Sequence, residues 1–121
     1  MGNPVVHFEI AGKDAESLSE FYSSLFDWDA AGQIPGGVYG LEPAAENKVC
    51  GHILPTTDDM PVSNYVSIYV EVEDLQASLD KAESLGGKTC VPPTVIPGGN
   101  GSFAMFLDPS GNCLGLYKPE A

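Results

Sequence analysis

The chain states its plan twice. A strand-like run, VVHFEI from Val5 to Ile10, leads into the helical pattern DAESLSEFYSSLF, and after a polar interval the same order returns as YVSIYVEV, Tyr65 to Val72, and DLQASLDKAESLGG. Val6-His7-Phe8-Glu9-Ile10 lies over Ile68-Tyr69-Val70-Glu71-Val72, matching in pattern more than in identity. Such a repeat constrains the fold more than any single residue, because each copy must be one supersecondary unit and the two must be built alike.

Strict alternation over Val5 to Ile10 predicts a half-buried strand, while Leu18, Phe21, Tyr22 and Leu25 recur at helical spacing behind a candidate N-cap, Asp14. Three strand-like runs follow, around Trp28 to Ile34, Val38 to Glu42 and Lys48 to Leu54, separated by turn material at Pro35-Gly36-Gly37 and from Pro43 to Asn47. The first copy therefore reads βαβββ. In the second, Asp74 caps a helix with Leu75, Leu79, Ala82 and Leu85 on one face, and Gly86-Gly87 stops it. Strands over Lys88 to Ile96, Ser102 to Leu107 and Asn112 to Lys118 complete the copy, the last two joined by a turn at DPSGN, Asp108 to Asn112. Within this copy VPPTVIPGGNGSF, Val91 to Phe103, is too rich in Pro and Gly for a continuous strand. It reads as a long interrupting loop, either a flexible edge that touches a ligand or second subunit, or a plain hairpin connection. Its Gly98-Gly99-Asn100-Gly101 is no phosphate cradle, since no helix comes after it. The expected organisation is one domain over residues 1–121, with module one at about 4–55, a linker at 56–63 and module two at 64–119.

A module with one helix on one face of a small sheet leaves the other face open. The expectation is an α+β fold in which two βαβββ modules form a curved mixed sheet around a shared cleft. Strand parity then sends Phe8, Ile10, Val70 and Val72 toward the helices, and His7, Glu9, Tyr69 and Glu71 toward the cleft.

Charge narrows the partners. Five Lys plus Arg against 17 Asp plus Glu give a net charge of −12, which repels phosphate backbones and excludes nucleic acid as a partner. The same balance suits a cationic ligand, or simply a solvated acidic surface. No secretory leader and no apolar run of membrane-spanning length is present in the sequence, so a cytoplasmic protein without a membrane partner is expected. Cys50, Cys90 and Cys113 are odd in number and widely spaced, which fits reduced strand residues better than a disulfide framework; Cys50 beside His52 stays open as a nucleophile, with no orienting third group in view.

VVHFEI with ESLSEFYSSLFDW, YVEVEDLQASLDKAESLGGK and the closing FAMFLDPSGNCLGLYKP together resemble the vicinal oxygen chelate superfamily, the group of glyoxalases, bleomycin-resistance proteins and extradiol dioxygenases, over essentially the whole chain. The resemblance implies paired βαβββ modules, frequently in a homodimer. It also implies, in catalytic members, a divalent metal held from the first and last strands of each module, commonly by two His and one or two Glu. Those positions fall here on His7, His52, Tyr69 and Gly115. Only His7 and His52 are metal ligands by type, and a catalytic zinc-like site wants at least three. Glu9 and Glu71 share the same parity and stand either as substitutes or as solvated carboxylates near strand ends. For His7 and His52 three readings remain: a shared metal, a hydrogen-bonded neutral pair, or the lining of a pocket for a polar ligand.

The leading expectation is therefore a glyoxalase- or bleomycin-resistance-like protein that binds a small molecule in the cleft without the full catalytic metal site and needs no cofactor. Its expected ligand-binding residues are His7, His52, Tyr69, Glu71 and Tyr117, with no catalytic residue assignable. The alternatives are a metal-dependent lyase, isomerase or dioxygenase of the glyoxalase type using His7 and His52, and a non-catalytic module whose dimer interface is its function.

Overall fold

A computed structural model describes residues 2–34, 37–42 and 49–120. Its chain order is β1 (Val5–Gly12), α1 (Ala15–Phe26), β2 (Asp29–Ile34), β3 (Val38–Glu42), β4 (Cys50–Pro55), β5 (Tyr65–Glu71), α2 (Leu75–Ser84), β6 (Lys88–Val95), β7 (Ser102–Leu107) and β8 (Cys113–Lys118). The fold is α+β, with two βαβββ modules. Pro35, Gly36, residues 43–47 and Lys48, which the sequence assigns to turns and to the start of a strand, lie outside the described residues. Among the described residues no helix is long and apolar enough to cross a membrane.

Two compact units emerge, His7–Ser67 and Met1–Val6 together with Ile68–Ala121. This division falls inside β1 and β5. In the first unit β4 runs parallel to β1 and antiparallel to β3, which pairs antiparallel with β2. The second repeats this plan: β8 is parallel to β5 and antiparallel to β7, and β7 to β6. Parallel first and last strands require a long crossover, and α1 or α2 with the intervening hairpin supplies it.

Each helix begins as its sequence dictates. The Asp14 carboxylate accepts the Ser17 backbone N–H at 3.0 Å, and Asp74 accepts that of Ala77 at 3.0 Å, each satisfying a donor that the first turn leaves unpaired. Helix α2 ends at Leu85, and Gly86 adopts φ 102 while the Gly87 N–H returns to the Ala82 carbonyl at 2.8 Å, a left-handed exit that glycine makes without steric cost.

The cores lie between helix and sheet in each unit. Ile10, Ala15, Leu41 and Ile53 are buried in the first, with Phe8, Leu18, Tyr22, Trp28 and Tyr39 against them. Val72, Leu75, Leu79, Ala104 and Leu116 form the second, flanked by Phe106. The helical faces differ from expectation. Ala15 and Ser19 are buried in α1, whereas Phe21 and Leu25 are 58% and 59% exposed. In α2 Leu75 and Leu79 are buried and Leu85 is 70% exposed.

The interrupting loop expected over Val91 to Phe103 also needs correction. β6 continues through Pro92 and Pro93 to Val95, with register shifts between Thr89 and Val91 and between Val91 and Thr94. Proline is tolerated at a strand edge or bulge, where its missing N–H breaks no ladder bond. Beyond Val95 the chain makes a hairpin connection into β7: the Ile96 N–H donates to the Gly101 carbonyl at 2.8 Å, and Asn100 Nδ2 to that of Pro97 at 3.0 Å.

Candidate functional site

Strand pairing places the two histidines. His7 stands opposite Cys50 and Glu9 opposite His52. Phe8 and Ile10 pack on the helix side, so His7, Glu9 and His52 share the other face. His52, two residues farther along its strand than Cys50, reaches both acidic and imidazole neighbours on β1. Its Nδ1 lies 2.6 Å from His7 Nε2 and its Nε2 lies 2.7 Å from Glu9 Oε1. Tyr65 donates its hydroxyl hydrogen to Glu9 Oε2. The result is one array, His7–His52–Glu9–Tyr65, wholly within the first unit.

The hydrogen bonds of the array centre on the carboxylate. Glu9 is 3% exposed, and a buried carboxylate persists only with donors around it; Tyr65 and His52 are those donors. His52 Nε2–H donates to Glu9, and the hydrogen between His52 Nδ1 and His7 Nε2 belongs to whichever ring the tautomer gives it. Burial pushes the His7 pKa from 6.5 down to about 4, with the neighbouring His52 lowering it further and Glu9 partly opposing. His7 is thus a neutral imidazole at pH 7. His52 uses both ring nitrogens on His7 and Glu9, so it does not act as a base for Cys50.

The second unit carries the other expected positions. Tyr69 stands opposite Gly115 and Glu71 opposite Tyr117. Tyr69 is 8% exposed, and a Cβ on residue 115 would overlap its ring; glycine is what lets β8 pass the aromatic plane. The Tyr117 hydroxyl donates to the Asn100 carbonyl at 2.8 Å, which ties it to the β6–β7 connection. Glu71 is partly exposed, its backbone N–H bonded to the Pro4 carbonyl at 2.9 Å and its carbonyl to Asn3 Nδ2 at 3.1 Å. The structure unites His7 with His52 and aligns Tyr69 with Gly115. Sequence reasoning underrated Glu9 and missed Tyr65. Parity with His7 was the signal for Glu9, whereas nothing local marks Tyr65.

These residues do not fit the metal centre that the resemblance implies. Imidazoles that share an ion aim their nitrogens at a common point about 2 Å from each, but His7 Nε2 and His52 Nδ1 aim at one another. Gly115 offers no donor. Among the described residues no group of three or more His, Cys, Asp and Glu is arranged to hold a metal ion. What the array provides instead is a fixed imidazole edge, backed by a buried carboxylate. A cavity of about 560 Å³ lies at the end of β1 and the start of α1, lined by Leu18, Tyr22, Asn64 and Tyr65 among others, and shares only Tyr65 with the array.

Paired βαβββ modules, with polar side chains gathered from the first and last strands of one of them, define a protein of the vicinal oxygen chelate class. Residues 5–116 match the family model of the Glyoxalase/Bleomycin resistance protein/Dioxygenase superfamily, and the chain belongs to that superfamily. Among its relatives is CFP32 of Mycobacterium tuberculosis and Mycobacterium bovis, which carries a provisional glyoxylase name. It is 30% identical over 110 residues, covering 87% of this chain and 41% of the relative. The chain therefore spans about two fifths of the length of these curated relatives. Solved structures share the fold. Methylmalonyl-CoA epimerase from Mycobacterium tuberculosis aligns with TM-score 0.70 at 15% identity, over 97% of this chain and 88% of that one. The Mn(II)-bound glyoxalase from Novosphingobium aromaticivorans aligns with TM-score 0.69 at 16% identity, over 98% of this chain and 40% of that one.

Proposed function

We propose that the chain binds a small molecule on the face of β1 and β4 that carries His7 and His52, as glyoxalase- and bleomycin-resistance-like proteins do, but without the full set of metal ligands. The observation that supports this reading is the direct 2.6 Å contact between His7 and His52, which commits to each other the nitrogens a metal would need. Two imidazoles fixed beside a buried carboxylate are suited to orient a polar ligand group, and a few convergent polar groups on an otherwise apolar scaffold are what such sites use. Tyr69, Glu71 and Tyr117 are the further candidates for ligand contact on the second unit. We place the protein in the cytoplasm as a homodimer, a location consistent with Cys50, Cys90 and Cys113 being thiols rather than disulfides.

The test is a ligand-induced thermal shift measured with and without a chelator, beside elemental analysis of protein purified without one. The reading expects well below one equivalent of Zn, Mn, Ni or Fe per chain and a shift that survives chelation. His7→Ala and His52→Ala should each abolish the shift while leaving a cooperative unfolding transition. A stoichiometric metal that survives dialysis, or a shift lost on chelation, would favour a metal-dependent lyase, isomerase or dioxygenase instead.

A further inference from the structure

We propose that the apolar stripe of α1 is a docking surface for another protein, and that its occupant is an amphipathic helix whose apolar side is flanked by lysine or arginine. This surface is separate from ligand binding at His7 and His52. Its origin is a mismatch between pattern and packing. Leu18, Phe21, Tyr22 and Leu25 recur at the spacing of a buried helical face, yet the residues that α1 buries are Ala15 and Ser19. Leu18 and Tyr22 are half-buried against the core, and Phe21, Leu25 and Phe26 are exposed. The exposed end is aromatic and continuous. The Phe21 ring meets Tyr22 edge-on with centroids 5.1 Å apart, Tyr22 lies 6.3 Å from Phe26, and Phe26 lies 5.0 Å from Trp28. Leu18 and Tyr22 also line the cavity of about 560 Å³, together with the exposed Val66. A cavity that shares two residues with an exposed helical stripe makes a groove along the helix. Contiguous exposed apolar surface of this kind marks contact sites, and a second helix seats its side chains between the ridges of the first.

Charge selects the occupant. The stretch Asp14 to Asp29 holds five carboxylates, Asp14, Glu16, Glu20, Asp27 and Asp29, and no lysine or arginine. All five of these residues are exposed. Lys13, which also lines the cavity, is paired with Asp58 at 3.1 Å. A second copy of this chain placed symmetrically on the stripe would set these carboxylates against their own equivalents, since a twofold contact is the same patch used twice. Like charges brought together oppose binding. The homodimer proposed above would therefore use another surface. A helix with basic flanks brings the opposite sign, which speeds its approach and adds attraction at the rim of the contact.

Trp28 is the only tryptophan of the chain and its ring lies against Phe26, so its fluorescence reports occupancy of the stripe. The full-length protein is titrated with three synthetic peptides that lack tryptophan. One carries leucines along one helical face and lysines along the other, one has glutamate in place of lysine, and one scrambles the leucine–lysine order so that no face is apolar. The expected result is a Trp28 response to the first peptide, with binding at least about tenfold tighter than that of the other two and weakened by added salt. Phe21→Ser with Leu25→Ser should weaken it at least about tenfold, while Leu85→Ser, a change at an exposed leucine beyond α2, should leave it unaltered. Glu16→Lys with Glu20→Lys keeps the apolar stripe and leaves the chain net negative, and it should weaken the lysine peptide to a similar degree. Equal binding of the scrambled peptide would overturn the proposal by reducing it to net charge. Absence of binding would overturn it as well, as would binding that Phe21→Ser with Leu25→Ser leaves unchanged. Sedimentation supplies the remaining outcome: a parent dimer that those two substitutions turn into monomer would make a second copy the occupant and overturn the basic helix.

Discussion

Charging His7 at its place on β1 would put a cation beside a second imidazole with part of its water removed, and this sets how the protein responds to acid. Its folded pKa is about 4 against an ordinary 6.5, so between those values the unfolded chain binds more protons than the folded one. Its stabilising effect is complete above about pH 6.5 and is lost progressively as pH falls through about 4. Urea midpoints should therefore decline over that window, and His7→Gln should flatten part of the decline; an unchanged slope would mean that other groups dominate. The side chains of Asp108 and Glu83, whose carboxyl pKa values are lowered by hydrogen bonds from Asn112 and Thr89, lose their effect only at lower pH. Gly115 is the second residue with a sharp expectation. A methyl group there would overlap the Tyr69 ring, so Gly115→Ala should cost about 1–3 kcal/mol in denaturant unfolding. Adding Tyr69→Ala should make that cost largely disappear in a double-mutant cycle.

Helical periodicity finds a helix more securely than it finds the buried side of one. In α2 the sequence puts Leu79 and Leu85 on one stripe, yet Leu79 is 1% exposed and Leu85 70%. Leu79→Ala should therefore cost about 2–5 kcal/mol, and Leu85→Ala should stay within about 0.5 kcal/mol of the parent, both read from chemical denaturation. In α1 the buried positions are Ala15 and Ser19; small residues let the helix approach the sheet, and no hydrophobicity count singles them out. The caps at Asp14 and Asp74 were legible because capping is decided within four residues. The register of β1 against β4 was not. Alternation with period two tells which face a residue takes but not how far one strand slides along another. A slide of two preserves the face, so sequence alone joins His7 with His52 yet cannot show that His52 sits opposite Glu9. The Pro92-Pro93 strand was hidden for a related reason: whether proline breaks a strand depends on whether that strand lies at an edge.

At the scale of the molecule the repeat was visible from pattern alone, and both copies close with the same strand pairing. The units defined by contacts divide inside β1 and β5, while the polar stretch of 56–63 lies between β4 and β5. Residues Met1–Val6 are grouped with Ile68–Ala121, with Pro4 and Asn3 bonded to the backbone of Glu71. Removing residues 2–4 should therefore speed amide exchange at Glu71 while leaving His7 to Ile10 protected; equal acceleration at both places would contradict the grouping. The same division has a consequence on the ribosome. Chains emerge at about 5–20 residues per second and tend to fold domain by domain from the N-terminus. Here the contacts of His7–Ser67 lie within that stretch, whereas Pro4 on the N-terminal segment meets Glu71, made much later. The bond from the Glu71 N–H to the Pro4 carbonyl can therefore close only after residue 71 has been made.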